Sequence, residues 1–278
     1  MVLTVLKAIN QHEISTEDDI LFIGTVGEEG LGDLRGMKHL FRDGGPHIDS
    51  WISIDGGRIG RVNNKGLGSH RYEVTFNGPG GHSWGAFGLS NPIHAISKAI
   101  SLFVERAEPF TQRGIRTSYN VGIIGGGTSV NSIPFESSMQ IDMRSESPAR
   151  LDSIDAIMHG SIYDALHYQN SLARIGDTLT VDIEQIGHRP SGELSPELPL
   201  IQRAIAATAY FGKRPELTRG STNSNIPISL GIPAVTIGRG GSGGNAHALD
   251  EWFYNDEGHK SIQLALIVLL SEAGLEEQ

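Results

Sequence analysis

Apolar positions along the chain follow three spacings. From Val2 to Ile9 they recur at helical intervals with no capping residue ahead of them, which predicts a short helix that begins abruptly. Behind its two leading acids, the run Asp18-Asp-Ile-Leu-Phe-Ile-Gly-Thr-Val26 is almost continuously apolar and enters Gly27-Glu-Glu-Gly30. That is the pattern of a strand buried on both faces, as in a parallel sheet, emerging into a glycine-rich turn. Ile52-Ser-Ile-Asp55 before Gly56-Gly57, and Ile232-Pro-Ala-Val-Thr-Ile-Gly238 before a glycine-rich stretch reaching Glu251, end in the same way.

Between these runs the pattern changes. Residues 68–188 predict a strand over 71–77 and a helix opened by Ser90-Asn-Pro92 that runs to about Arg106. Strands over 118–124 and 137–144, a long helix from Ser147 to about His167 and a last strand over 179–186 follow. Strand-helix-strand-strand-helix-strand is the ferredoxin-like order. The flanking segments predict an α/β unit made of residues 1–67 and 189–278, with a helix over 196–211, an apolar segment over 226–230, a strand over 234–237 and a terminal helix from Asp256 to about Ala273. The expected architecture is therefore an α/β domain interrupted by an α+β domain. The insertion closes a sheet of its own and leaves an edge for pairing, so it is expected to act as a lid or dimerisation domain.

Composition narrows the function classes. A formal net charge of -10 argues against a nucleic-acid or anionic-membrane partner, which needs a concentrated basic face. The chain has no cysteine, so disulfides and thiolate metal sites are excluded and any metal must be held by His, Asp and Glu. No apolar stretch approaches the ~20 residues that span a bilayer, and no basic segment precedes an apolar one at the start of the chain. These features favour a cytoplasmic protein.

The candidate chemistry sits at the ends of the predicted strands, where open α/β sheets bind ligands. Adjacent residues on an extended chain project in opposite directions, so one of Glu28 and Glu29 can ligate a metal while the other handles protons. Asp55 and His247 supply a second acid and an imidazole at two other strand ends. Hard carboxylate oxygens and imidazole suit zinc or manganese, and a metal pair about 3.5–4 Å apart activates water for hydrolysis. Each residue also has a plain reading: a solvated Glu-Glu turn, an Asx turn at Asp55, a capping or core role for His247. The other histidines, at 12, 39, 47, 70, 94, 159, 167, 188 and 259, carry that plain reading. In the insertion, His82 lies in Gly78-Pro-Gly-Gly-His-Ser-Trp84, Asn131 in Ser129-Val-Asn-Ser-Ile-Pro134, and Arg144 ends a strand two residues after Asp142, a candidate ion-pair partner. Walker, Gly-x-Gly-x-x-Gly and Gly-x-Ser-x-Gly patterns are absent at the places that would give them meaning.

With Glu28-Glu-Gly-Leu-Gly-Asp-Leu-Arg-Gly36, Asp55, Asn225-Ile-Pro-Ile-Ser-Leu-Gly-Ile-Pro-Ala234 and Gly243-Gly-Asn-Ala-His247 in hand, the chain resembles the zinc-dependent exopeptidases that include peptidase T, carboxypeptidase G and the aminoacylases, most of all the peptidase T-like members. The resemblance implies a two-metal site holding zinc, with manganese or cobalt as substitutes. By resemblance Glu28 shuttles protons, Glu29 and His247 share one metal, and Asp55 binds the other. His82 then reaches a partner's active site across a homodimer, while Asn131 and Arg144 bind the substrate. Asn223 stands where such relatives carry an aspartate, in a pocket-lining loop.

The substrate implied is a small peptide; an N-acyl amino acid, or a non-catalytic dimeric binding role, are the alternatives. The family's catalytic domain opens with a His-x-Asp motif and a metal-bridging aspartate that have no counterpart here, so the α/β domain is expected to be truncated at its amino terminus. One metal would then have two of its three protein ligands and the other one, and zinc would be held weakly.

Overall fold

The structure, a computed structural model, describes residues 1–276. Helices α1 (Val2–Gln11) and α2 (Arg35–Leu40) and strands β1 (Trp51–Asp55) and β2 (Arg61–Gly66) come first. Next are β3 (Gly68–Asn77), β4 (Gly81–His82), α3 (Pro92–Thr111), β5 (Thr117–Gly126), β6 (Ser132–Ile133), β7 (Glu136–Ser145), α4 (Pro148–Ser171) and β8 (Thr180–Arg189). The chain continues with β9 (Gly192–Glu193), α5 (Pro199–Tyr210), β10 (Glu216–Gly220), α6 (Asn225–Ser229), β11 (Ala234–Gly238), β12 (Ser242–Gly244), β13 (Trp252–Tyr254) and α7 (Gly258–Ala273). Two compact units result, Gly68–Arg189 and the remainder on either side of it.

The inserted unit is an antiparallel sheet in the order β5-β7-β3-β8, the ferredoxin-like arrangement that its strand-helix alternation predicts. Alternation along β3 turns Tyr72, Val74 and Phe76 into the core, where they meet Ala95, Ile96, Ala99 and Phe103 of α3 and Leu151, Ile154, Met158 and Ile162 of α4. Both helices are opened by capping chemistry. Asn91 Oδ1 accepts from the Ile93 N–H at 2.9 Å and the Ser147 hydroxyl accepts from the Arg150 N–H at 3.4 Å, each with a proline in the first turn. The helices outrun their expected ends, reaching Thr111 and Ser171; Ala107 and Phe110 keep the end of α3 on the core, and Gln169 is the buried residue in the last turn of α4.

The α/β unit holds a mixed sheet, β1-β11-β2-β10, with β9 pairing β2. β1 runs parallel to β11 and β2 parallel to β10, while β11 and β2 are antiparallel. Its core joins Val62, Val235 and Ile237 to Leu200, Ile201 and Ala204 of α5 and Leu264, Ala265 and Val268 of α7. β11 is buried along its whole length, on both faces, with Thr236 its one polar side chain.

One expected strand is absent. Asp19–Val26 forms no ladder with any strand among the described residues, and Leu21 and Val26 are exposed by 60% and 63%. An apolar run reports burial against something, whereas a strand also needs a neighbouring backbone to receive its hydrogen bonds. Here the segment instead lines a cavity of about 730 Å³ together with β1 and residues of α1 and α7.

Candidate functional site

The turn after Val26 is built by glycines. Gly27 has φ +69°, and a Cβ on Gly32 would lie 2.5 Å from the Gly27 Cα, so backbone packs on backbone where any side chain would intrude. Two hydrogen bonds close the turn, Leu34 N–H to Gly27 O at 2.8 Å and Gly36 N–H to Val26 O at 3.1 Å. Within it Glu28 is half-buried and lines the 730 Å³ cavity, while Glu29 is exposed and opens a single 3-10 turn over Gly30–Gly32. The two carboxylates are thus divided, one toward a cavity and one toward solvent.

Asp55 ends β1 level with Gly238 at the end of β11. Their outgoing loops are knitted together, Arg239 N–H donating to Asp55 O at 2.8 Å and Gly240 N–H to Gly57 O at 3.0 Å. Asp55 folds back on its own turn, its Oδ1 accepting from the Gly56 N–H at 2.7 Å and its Oδ2 standing 3.7 Å from the Arg61 guanidinium. The side chain is thus held by its own turn, although through the N–H of the next residue and not the one after it that an Asx turn uses. His247 is exposed, in a left-handed backbone conformation at φ +66°, and its N–H donates to Glu251 at 3.0 Å.

Glu29, Asp55 and His247 do not converge. Among the described residues no group of three or more His, Asp and Glu side chains is placed to hold a metal ion. With Asp55 engaged by Arg61 and its own turn, and Glu29 and His247 both in solvent, the residues present do not fit the two-metal centre implied by resemblance.

Asn223 does reach the Glu28 side of the α/β unit. Its Nδ2 donates to Thr25 Oγ1 at 3.0 Å, three residues before Glu28, and both Asn223 and Glu28 line the same cavity. Behind Asn223 lies a fully buried hydroxyl network that sequence reasoning did not reveal. Thr236 Oγ1 stands 2.9 Å from Thr222 Oγ1 and donates to Ser224 Oγ at 2.7 Å. Its only signal was the polar run Ser221-Thr-Asn-Ser-Asn225 beside apolar strands.

In the inserted unit, β4 and β6 pair antiparallel with His82 opposite Ser132, which sets Asn131 next to the histidine; Ser83 N–H donates to Asn131 O at 2.9 Å. The His82 Nδ1 accepts from the backbone N–H groups of Trp84 and Gly85, both at 3.2 Å. That occupies the Nδ1 lone pair and leaves the ring proton on Nε2, so the exposed imidazole presents a donor.

Arg144 pairs with Asp142 through Nε at 2.7 Å, and Arg71 holds the other carboxylate oxygen at 2.8 Å. Burial alone would raise the Asp142 carboxyl, but the hydrogen bonds from Arg144 and Arg71 outweigh it and keep the group below its ordinary value.

Comparison with known proteins places the inserted unit and the fold. Residues 65–168 match the family described as peptidase dimerisation domain, M20_dimer. No curated protein matches the chain by sequence. Among solved structures, the aminopeptidase PepT of Bacillus cereus shares 19% identity over 97% of this chain and 68% of its own, with a TM-score of 0.70. A tripeptidase of Staphylococcus aureus shares 22% over 98% and 67%, again with a TM-score of 0.70. An amidase of the hydantoinase/carbamoylase family from Burkholderia vietnamiensis shares 14% over 98% and 74%, with a TM-score of 0.71. The domain match and the shared fold agree with the resemblance drawn from the sequence. No helix among the described residues is long and apolar enough to cross a membrane.

Proposed function

We propose that this chain acts on amide bonds of small peptides, with Glu28 as its proton-handling carboxylate and Asn223 as a substrate-binding amide. The observation that carries this reading is the placement of both residues on one cavity, in a fold shared with an aminopeptidase, a tripeptidase and an amidase. A half-buried carboxylate beside a cavity can take a proton from an attacking water and return it to the leaving amine, a role typically worth ~10²- to 10⁴-fold in rate. Asn223 brings hydrogen bonds without charge, which suits a backbone amide of the substrate better than a free amine.

The peptidase dimerisation match supports a homodimer formed through the inserted unit. Within it we assign substrate contacts to His82, Asn131 and Arg144. The His82 Nε2–H suits an oxygen gaining negative charge. Arg144 spends Nε on Asp142 and has the rest of its fork to offer a carboxylate. No step is assigned to a metal, because Glu29, Asp55 and His247 do not assemble a binding group; zinc is accordingly expected to bind weakly to this chain.

Hydrolysis of di- and tripeptides by the purified chain, with zinc, manganese or cobalt supplied, tests the reading. Glu28→Gln should lower kcat by ~10²-fold or more while leaving peptide affinity nearly unchanged. Peptide binding with no turnover under any metal would replace hydrolysis with a binding role, the second reading that the dispersed Glu29, Asp55 and His247 favour.

A further inference from the structure

The chain leaves the α/β unit after Leu67 and re-enters it at Pro190, and one buried side chain holds both crossings. Asn225, fully buried at the start of α6, donates one Nδ2 hydrogen to the Leu67 carbonyl at 2.9 Å and the other to the Pro190 carbonyl at 3.0 Å. Its Oδ1 accepts from the Thr222 N–H at 2.9 Å. Two donors and one acceptor on a single planar amide are all in use, a combination that only Asn and Gln carry. Gly66 leaves the room, since a Cβ there would sit 3.3 Å from the Asn225 amide.

Other bonds bring the crossings together without involving Asn225. β9 pairs with β2 next to the crossings, Lys65 meets Glu193 at 2.6 Å, and Asn64 Nδ2 donates to Leu194 O at 2.7 Å. What Asn225 adds is a third party. Its acceptor side grips the turn Thr222–Asn225, whose Asn223 bonds Thr25 just ahead of Glu28, and Leu67 N–H donates to Gly220 O at 2.8 Å at the start of that same loop. A continuous path therefore runs from the Thr25–Glu28 segment by hydrogen bond to Asn223, through the peptide link to Thr222, and by hydrogen bonds through Asn225 to both peptide segments that carry the inserted unit.

We propose that Asn225 is a positioning residue that couples the loop carrying Asn223 to the two crossings, so that a change at Asn223 alters the backbone at Leu67 and Pro190 and the reverse. The coupling is a property of the folded chain. It goes beyond the hydrolytic reading and stands or falls independently of it.

A double-mutant cycle read by amide hydrogen exchange on the intact protein tests this. Asn223→Ala removes the bond to Thr25 and should speed exchange at residues 66–69 and 191–193 by ~3- to 10-fold, the range that one lost hydrogen bond supports. In an Asn225→Ala background the same Asn223→Ala change should add nothing at those amides, although the background itself exchanges faster. Asn225→Ser, which cannot span both carbonyls, serves as the background if Asn225→Ala fails to fold. Lys65→Met, which breaks only the neighbouring ion pair, should leave the Asn223→Ala response intact. A merely structural Asn225 would destabilise every segment yet preserve that response. Equal responses to Asn223→Ala with and without Asn225, or no response in either, would overturn the coupling.

Discussion

Strand β3 of the inserted unit and the Ile20–Val26 segment of the α/β unit both have apolar positions that predict a strand, yet they end in opposite states. β3 has β7 on one side and β8 on the other over its full length, and its inward residues Val74 and Phe76 are completely covered. Ile20–Val26 has no strand beside it among the described residues, leaves Leu21 and Val26 exposed, and borders a cavity. An apolar strand is thus stabilised less by its own composition than by having both backbone edges paired and one face packed. The inserted unit meets those conditions within one continuous stretch of chain, Gly68–Arg189. The α/β unit meets them only where β1, β11, β2 and β10, drawn from distant stretches, find each other.

The contrast can be broken most sharply by excision. Residues 68–189 alone should unfold in one cooperative transition and sediment as a dimer, because their core and sheet are self-contained and β5 keeps a free edge. A disordered monomer by circular dichroism and sedimentation would end the claim of independence.

In the whole protein, Phe103→Ala should cost ~3–5 kcal/mol by urea denaturation, since Phe103 is 1% exposed and stacks edge-on against Tyr119 at 5.1 Å. Leu21→Ala should cost no more than ~0.5 kcal/mol, as an exposed residue away from any ladder. Comparable losses would mean that Ile20–Val26 is packed as a strand after all.

A smaller change sharpens the same comparison at a helix end. Asn91→Ala removes the acceptor for two N–H groups at the start of α3 and should cost ~1 kcal/mol, with α3 amides near His94 losing exchange protection first.

The smallest expected effect is electrostatic. Because folding lowers the Asp142 carboxyl, its contribution is fully present above the unfolded value of about 4 and is lost as the pH falls through the lower folded value. The urea midpoint should therefore fall over this acid range, and by less in Arg144→Met, which removes one of the two groups holding the carboxylate ionised. An acid profile unchanged in Arg144→Met would remove Arg144 from that role.

Much of this architecture is written locally. Ser90-Asn-Pro92 and Ser147-Pro148 stand in the sequence as helix openings, and Asn91 with Pro92 and Ser147 with Pro148 start α3 and α4 as side-chain caps followed by a proline. Alternation likewise marks β3 and β7, and the order of these elements led to the ferredoxin-like sheet. The turn at Gly27–Gly30 was legible too, because both glycines take a positive φ that is a property of the turn itself.

Tertiary structure decided the rest. Whether Ile20–Val26 is a strand depends on a neighbour that no local pattern encodes, and Glu29, Asp55 and His247, which follow three similar apolar runs, form no metal-holding group among the described residues. Asp55 is engaged by Arg61 instead. In the sequence Asn225 is legible only as the first residue of the Asn225–Ala234 motif. Its role comes from carbonyls 158 and 35 positions away, and hydrogen bonds that close over such separations leave no periodicity in the sequence to read.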